Sequence, residues 1–543
     1  MTVIPEFLKN RRRYSGILMH PTSLPGRFGI GDLGPEAYAF VDFLKESNQH
    51  LWQTLPLGPT GEFNCPYQSF SSFAGQPLLI SPELLLQDKL LSEEDLREVP
   101  AFPVEKVDYK EVQEYKFALY KKAFENFKKI RDKELPEILV LKASAKEETA
   151  EETDSDAKNL SSYQRLSRSS AVSLGEAFDA FVSENSDWLP DYAMFMAIKT
   201  YENGKHWLDW EKKYRKPTKT QKKVIERDFA DGILYEEFLQ WLFFRQWTAL
   251  KAYANENDVA LIGDIPIFVS SDSADVWAEP RLFLLDRDGF PRVVSGVPPD
   301  YFSATGQLWG NPLYDWKYHK KTEFEWWMRR IKVQLSLSDV IRIDHFRGLE
   351  SYWEVPADAE NAINGRWMPG PGDDFFQAVQ KTFGKDLPII AEDLGIITDE
   401  VCALRDRYEL PGMKILQFAF EDYDSAYLPY NQPYNCICYT GTHDNDTTTG
   451  WYASAPDWIQ DKVRRYMNTD GGQINWDFIR TAWGSPAKIA IAPVQDLFCQ
   501  GSEYRMNTPG VADGNWSYRA KKELFTHDVA TRLRDTTELF GRS

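Results

Sequence analysis

ILYEEFLQWLFFRQWTALKAYANE (233–256) runs almost directly into VALIGD (259–264), and the pair reads as a helix feeding a buried strand. The first stretch has apolar residues at helical spacing. The second is near-continuously apolar and ends in an acid, without the alternation of a half-exposed strand. Strands covered on both faces belong to parallel sheets. Seven further runs have this character: SGILMH (15–20), HLWQTLPL (50–57), VIRID (340–344), PIIAED (388–393), MKILQFAF (413–420), NCICYTGTHD (435–444) and KIAIAPVQD (488–496). Helical stretches fall between most of them. The alternation predicts an α/β protein, a (β/α)8 TIM barrel with large, mainly helical and loop insertions.

A barrel needs roughly 250 residues, and the chain has 543, so one barrel spanning 1–543 must carry insertions. The largest, 82–232, is expected to be a mainly helical subdomain. Within it VQEYKFALYKKAFENFKKI (112–130) puts Tyr120, Phe124 and Phe127 on one stripe, whose expected use is core packing. The acidic, Ser-rich segment 143–172 lacks large apolar residues and reads as a mobile surface loop. Residues 265–325, rich in Pro, Gly and Trp, are expected to form a loop-rich cap over the third strand, near the active site. No internal repeat of solenoid length is present.

Acidic residues outnumber basic ones by 82 to 63, a formal charge of −19. Such a field repels nucleic acid and anionic membrane and favours solubility. Aromatic residues make up 14% of the chain, with 18 Trp; their flat faces suit sugar stacking and suit a large core equally well. Five cysteines, Cys65, Cys402, Cys436, Cys438 and Cys499, form neither a disulfide framework nor a zinc pattern. Cys436 and Cys438 have strand spacing and are expected to be buried thiols on one face. The N-terminus shows no secretory signal and no stretch is long enough to span a membrane. The chain therefore reads as cytoplasmic, with the plastid stroma as the alternative if a transit peptide has been removed.

Three of the strands end in acids, at Asp344, Glu392 and Asp444, and VALIGD adds Asp264. In a barrel the C-terminal strand ends converge on one mouth. Any single acid there is more often a helix cap or a loop residue; four such endings are harder to dismiss. Converging carboxylates fit two chemistries, coordination of a hard cation and cleavage of a glycosidic bond. The first is weakened by the lack of EF-hand and HExxH patterns. The second gains from the surroundings. Arg342, His345 and Arg347 flank Asp344 and are expected to hold it ionised. His443 and Asn445 flank Asp444 and could bind sugar hydroxyls, although His345 and His443 serve equally well as packing residues. Gly29-Ile-Gly31-Asp-Leu-Gly34 matches a dinucleotide fingerprint but follows its strand only after a loop with two prolines, so it is set aside.

At these residues the chain resembles the amylomaltase or disproportionating-enzyme family, 4-α-glucanotransferases of the α-amylase superfamily. The matching stretches include HPTSLPGRFGIGDLG (20–34), LWQTLPLGPTG (51–61), PYQSFSSFAG (66–75), GDIPIF (263–268), GVPPDYFSATGQLWGNPLYDW (296–316), IRIDHFRG (341–348), IIAEDLG (389–395), GMKILQFAF (412–420), YTGTHDNDTT (439–448) and RMNTPG (505–510). The resemblance implies the barrel and retaining chemistry without a cofactor or metal. Asp344 stands where the family has its nucleophile, Glu392 its general acid/base and Asp444 its transition-state stabiliser. By the same carry-over Tyr67, Asp300, Gln307, Trp309, Arg342, Phe418, Asp422 and His443 contact maltooligosaccharide or α-1,4-glucan substrates. Asp264 keeps a supporting place. Cys65 stands where the family commonly shows Ser, which puts a contact from that hydroxyl in doubt.

The implied activity moves α-1,4-glucan segments between acceptors through a covalent glycosyl-aspartate, with the 296–316 loop around Trp309 covering the intermediate. An α-glucan hydrolase using the same acids is the alternative.

Overall fold

The computed structural model describes residues 13–61, 63–144, 173–299 and 303–543, and of residues 133–144 only the backbone. The expected 143–172 loop therefore lies almost entirely outside the described residues, as does Asp300.

The strands in chain order are β1 (Tyr14–Leu18), β2 (Leu51–Gln53), β3 (Ala260–Pro266), β4 (Val293–Val297), β5 (Gln307–Pro312), β6 (Val340–Asp344), β7 (Ser351–Pro356), β8 (Arg366–Pro369), β9 (Ile389–Ala391), β10 (Gly412–Ile415), β11 (Cys436–Tyr439) and β12 (Ile489–Pro493). Eight of them form one parallel sheet in the order β10-β11-β12-β1-β2-β3-β6-β9. They are the eight apolar runs read from the sequence. The two ends of the sheet meet where the Ala391 N–H donates to Pro411 O at 2.9 Å. The Met413 N–H donates to Asp393 Oδ1 beside it at 2.6 Å. Closure is thus partly made by a side chain, whose second oxygen is ion-paired to Arg405.

Strand residues such as Ile17, Trp52, Ile262, Ile343, Ile390, Met413, Ile437 and Ile491 are fully or almost fully buried, as expected of strands with a packed barrel interior on one side and helices on the other. The helix Ala230–Glu256 buries Phe238, Leu242, Trp247 and Leu250, and its apolar residues cover more than one face because other helices pack outside it. Tyr120, Phe124 and Phe127, on the helix Tyr109–Ser144, are all buried. Phe124 lies 5.4 Å from Phe238 and Phe127 lies 5.4 Å from Trp241, centroid to centroid. The aromatic wealth of the chain goes largely into this core: Trp52, Trp207, Trp247, Trp326, Trp327 and Trp483 are among its largest fully buried side chains. Cys436 and Cys438 are buried free thiols.

Between β3 and β6 the Pro/Gly/Trp-rich segment holds the strands β4 and β5 where loops were expected. They join β7 and β8 in a four-stranded sheet, order β5-β4-β7-β8, antiparallel throughout. Gly296 and Gly306, whose added Cβ atoms would meet Gln307 O at 2.6 Å and Val297 O at 2.4 Å, let the β4–β5 turn close tightly. The fingerprint-like Gly29–Gly34 loop leads into the helix Pro35–Glu46, with the Gly34 N–H bonded to Asp32 Oδ1 at 3.0 Å. Among the described residues no helix is long and apolar enough to cross a membrane.

Candidate active site

The register of β6 against its two neighbours builds the centre of the site. Across β3 and β6, Asp264 pairs with Arg342; across β6 and β9, Ile343 pairs with Ala391. Asp344 and Glu392 therefore follow side by side at the C-terminal ends of adjacent strands. Residues two apart on a strand share a face, so Arg342 and Asp344 point the same way. Arg342 Nη1 donates to both Asp264 oxygens, at 2.8 and 2.7 Å, and Nη2 lies 2.9 Å from Asp344 Oδ1. The Asp264 side chain is fully buried, whereas Asp344 is 29% exposed at the mouth.

Glu392 is held by backbone. Its Oε2 accepts the His345 N–H at 2.7 Å and its Oε1 the Leu394 N–H at 2.9 Å. The first contact depends on an unusual turn: His345 has φ +52°, in the left-handed region that non-glycine residues rarely occupy. That conformation follows directly on Asp344 and breaks the strand there. Strained backbone of this kind persists where the surroundings over-determine it.

Asp444 stands on the loop after β11, 46% exposed. Asn507 Nδ2 donates to its Oδ1 at 2.6 Å and Arg505 donates to its carbonyl. Tyr67 links this side of the mouth to the other. Its hydroxyl lies 2.7 Å from Asp264 Oδ2 and 2.9 Å from His443 Nε2. An ionised carboxylate only accepts, so the Tyr67 O–H donates to Asp264 and its oxygen accepts from His443 Nε2–H. This assigns the tautomer of His443, whose ring also stacks on Tyr67 at 5.2 Å. His443 Nε2 lies 3.4 Å from Asp444 Oδ2.

Burial is the largest influence on the ionisation of this cluster. It pushes the Asp344 carboxyl up to about 8, against the pull of Arg342 and with help from Asp264, Glu392 and Asp444. It raises Glu392 as well, against Arg342 and the two backbone donors. Two adjacent carboxyls both raised in this way titrate as a pair and can share one proton. Burial lowers His443, so its ring is neutral. The neighbouring acid Asp393 adds to the effect of burial on Glu392.

The expectation that three cations hold Asp344 ionised is corrected. His345 is pushed down to about 3 by burial and is neutral. Arg347 turns away: its guanidinium lies 3.8 Å from the Trp367 ring centroid and donates to Ser351 Oγ at 3.1 Å. Arg342 alone of the three touches Asp344. Cys65 lies within the field of Asp444 and Asp344, and burial holds its thiol up at about 11, un-ionised.

Of the remaining residues expected at the site, Gln307 and Trp309 lie on one side of β5, with Trp309 Nε1 donating to Gln307 Oε1 at 3.2 Å. The Trp309 ring meets His345 edge-on at 4.8 Å. Phe418 lies on the segment after β10, 5.6 Å from the Tyr427 ring. Asp422 is exposed further along that segment and accepts the Asp424 N–H at 3.2 Å, outside the network around Arg342. Asp264 supports Arg342 and Tyr67, and the sequence reading passed over Arg505, Asn507 and Trp516, whose ring lies 5.9 Å from Tyr67. The RMNTPG stretch carried the signal for Arg505 and Asn507. Among the described residues no group of His, Cys, Asp and Glu is arranged to hold a metal ion.

The sequence model of one protein family, 4-alpha-glucanotransferase, matches residues 19–525. The chain belongs to this family. It is 45% identical over 537 residues to a 4-alpha-glucanotransferase of Synechocystis sp., covering 98% of each chain. It is 41% identical over 551 residues to the chloroplastic/amyloplastic 4-alpha-glucanotransferase of Solanum tuberosum, covering 99% of this chain and 88% of the other. Its structure is similar to that of the amylomaltase from Streptococcus agalactiae in complex with acarbose, with TM-score 0.87, 37% identity, and coverage of 98% of this chain and 100% of that one. Membership of the 4-alpha-glucanotransferase family carries the barrel fold and the transferase activity with it.

Proposed function

We propose that Asp344, Glu392 and Asp444 carry a retaining double displacement that moves α-1,4-glucan segments between maltooligosaccharides or longer glucans. The observation that carries this reading is the placement of Asp344 and Glu392 at the ends of adjacent strands, with Arg342 2.9 Å from Asp344 and two backbone N–H groups on Glu392. Arg342 at 2.9 Å favours the charged form of Asp344 as nucleophile, and burial raises Glu392 toward the protonated form that an acid needs. An Asp344 oxygen attacks the anomeric carbon as the glycosidic C–O bond breaks, and Glu392 gives its proton to the departing oxygen. Glu392 then takes the proton of an acceptor hydroxyl, which attacks the anomeric carbon and releases Asp344. Asp444, oriented by Asn507 and exposed at the mouth, accepts from sugar hydroxyls. Arg342, His443 and Tyr67 hold the sugar beside it, and Asp300, Gln307, Trp309, Phe418 and Asp422 line neighbouring subsites.

The acarbose bound to the Streptococcus agalactiae amylomaltase supports an α-glucan ligand for this mouth. Transfer rather than hydrolysis is tested by incubation with maltotriose. Glucose and longer maltooligosaccharides are expected without a net rise in reducing ends; a sustained rise overturns transfer in favour of hydrolysis.

A further inference from the structure

Four aromatic side chains outside the mouth stand together on the flank of the barrel. The helix Asp457–Met467 places Trp458, Lys462 and Tyr466 at i, i+4 and i+8, along one face. The segment after β10 lays two more rings over that face. Tyr423 covers Lys462, with Nζ 4.1 Å from the ring centroid, and Tyr430 lies 6.4 Å from Tyr466. The Tyr430 hydroxyl donates to Tyr423 O at 2.8 Å and ties the two together. Tyr466 rests in turn on buried Phe420, at 5.7 Å.

These rings are not core. Tyr423 is 73% exposed, Tyr430 65% and Trp458 55%. Most aromatic residues of this chain are buried, whereas these rings stand open to solvent within one helix face and the segment laid over it. Beneath it Lys462 is buried, and its Nζ has no hydrogen-bond partner among the described residues. An ammonium left under a ring holds that ring flat against the helix by its attraction to the π face. From Trp458 to Tyr466 the face is roughly 12 Å long at 1.5 Å per residue.

We infer that this face is a glucan-binding platform on which the chain of a long α-glucan rests beyond the mouth. The inference rests on the glucan-transfer reading above and extends it. Its occupant follows from continuity: the segment bearing Tyr423 and Tyr430 is the one that begins at Phe418, the subsite residue whose ring packs on Tyr427 at 5.6 Å. A glucan leaving the mouth along this segment meets the rings next. Flat apolar faces bordered by exposed Glu421, Asp422 and Asp424 suit a neutral ligand with apolar sugar faces and donor hydroxyls.

The test compares one long and one short substrate in the full chain. In Tyr423→Ala and in Tyr423→Ala/Tyr430→Ala, KM for amylose is expected to rise roughly three- to tenfold per ring removed. Retardation by amylose in native gels weakens in parallel, and kcat/KM for maltotriose stays within about twofold. Tyr430→Phe keeps the ring and is expected to keep amylose binding. Tyr423 is exposed enough for its truncation to leave the fold intact, which an unchanged thermal midpoint verifies. Amylose KM and gel retardation equal to the parent's in the double variant overturn the platform. Loss of transfer on maltotriose in the parent strikes the catalytic reading instead, and gel retardation still reports the platform by itself.

Discussion

Asp264 sits at the end of β3 with both oxygens on Arg342 and one also accepting from Tyr67. It orients the arginine that touches Asp344 and the tyrosine that fixes the tautomer of His443. Its own negative charge also raises Asp344. Asp264→Asn removes a like charge and leaves Arg342 freer to act on Asp344, so both changes favour carboxylate ionisation. The alkaline limb of kcat/KM, where the shared proton is lost, is therefore expected to move to lower pH, by about 0.5–1 unit. An unmoved limb removes Asp264 from the electrostatics of the site. For the acids themselves, Glu392→Gln is expected to lower kcat roughly 10²–10⁴-fold on maltotriose, and Asp344→Asn at least as much. Near-parental turnover in Asp344→Asn assigns the nucleophile elsewhere. These residue types were legible at strand ends. Their partners were not, because Tyr67, Asn507 and Arg505 come from loops far apart in sequence and meet only at the mouth.

The helix Ala230–Glu256 illustrates both sides of legibility at the scale of an element. Its apolar spacing announced it, and its place before β3 helped decide the fold. Yet Glu236 within it is buried, and burial pushes its carboxyl up from 4.5 to about 8. The folded state thus holds a proton that the unfolded chain releases. Stability from this group is fully present below about pH 4.5, and it is lost as pH rises through about 8. Glu236→Gln is expected to melt like the parent near pH 4 and to be more stable at pH 8 by on the order of 2–4 kcal/mol. Thermal midpoints across that range measure it, and a pH-independent difference contradicts it. The sheet β5-β4-β7-β8 was illegible for a different reason. Its strands are short, interrupted by Gly and Pro, and partly exposed, so neither alternation nor a continuous apolar run marks them.

At the scale of the molecule, the C-terminus completes the bottom of the barrel. Arg542 is fully buried and donates to Tyr14 O and Trp483 O at 2.8 Å and to Ala487 O at 2.9 Å. It joins the start of β1 to the approach of β12. Arg542→Ala empties a buried site and removes the guanidinium's bond to Ala487 O, a carbonyl whose loss of a donor costs about 1–3 kcal/mol, while Trp483 O keeps Arg13. A fall of several degrees in the thermal midpoint is expected, with turnover per folded molecule unchanged because the site lies at the opposite end. An unaltered midpoint shows that water replaces the guanidinium there.

The amino-acid sequence by itself determined the eight barrel strands, the acids at their ends and the family. Burial on two faces demands continuous apolar runs, and a barrel turns every strand end toward one mouth. Only the tertiary structure decided which charges meet. It set Arg342 between Asp264 and Asp344, turned Arg347 away, neutralised His345, and stood Tyr423 and Tyr430 on the outer helix. Those outcomes depend on register, on burial and on contacts between distant segments, and local residue pattern carries none of them.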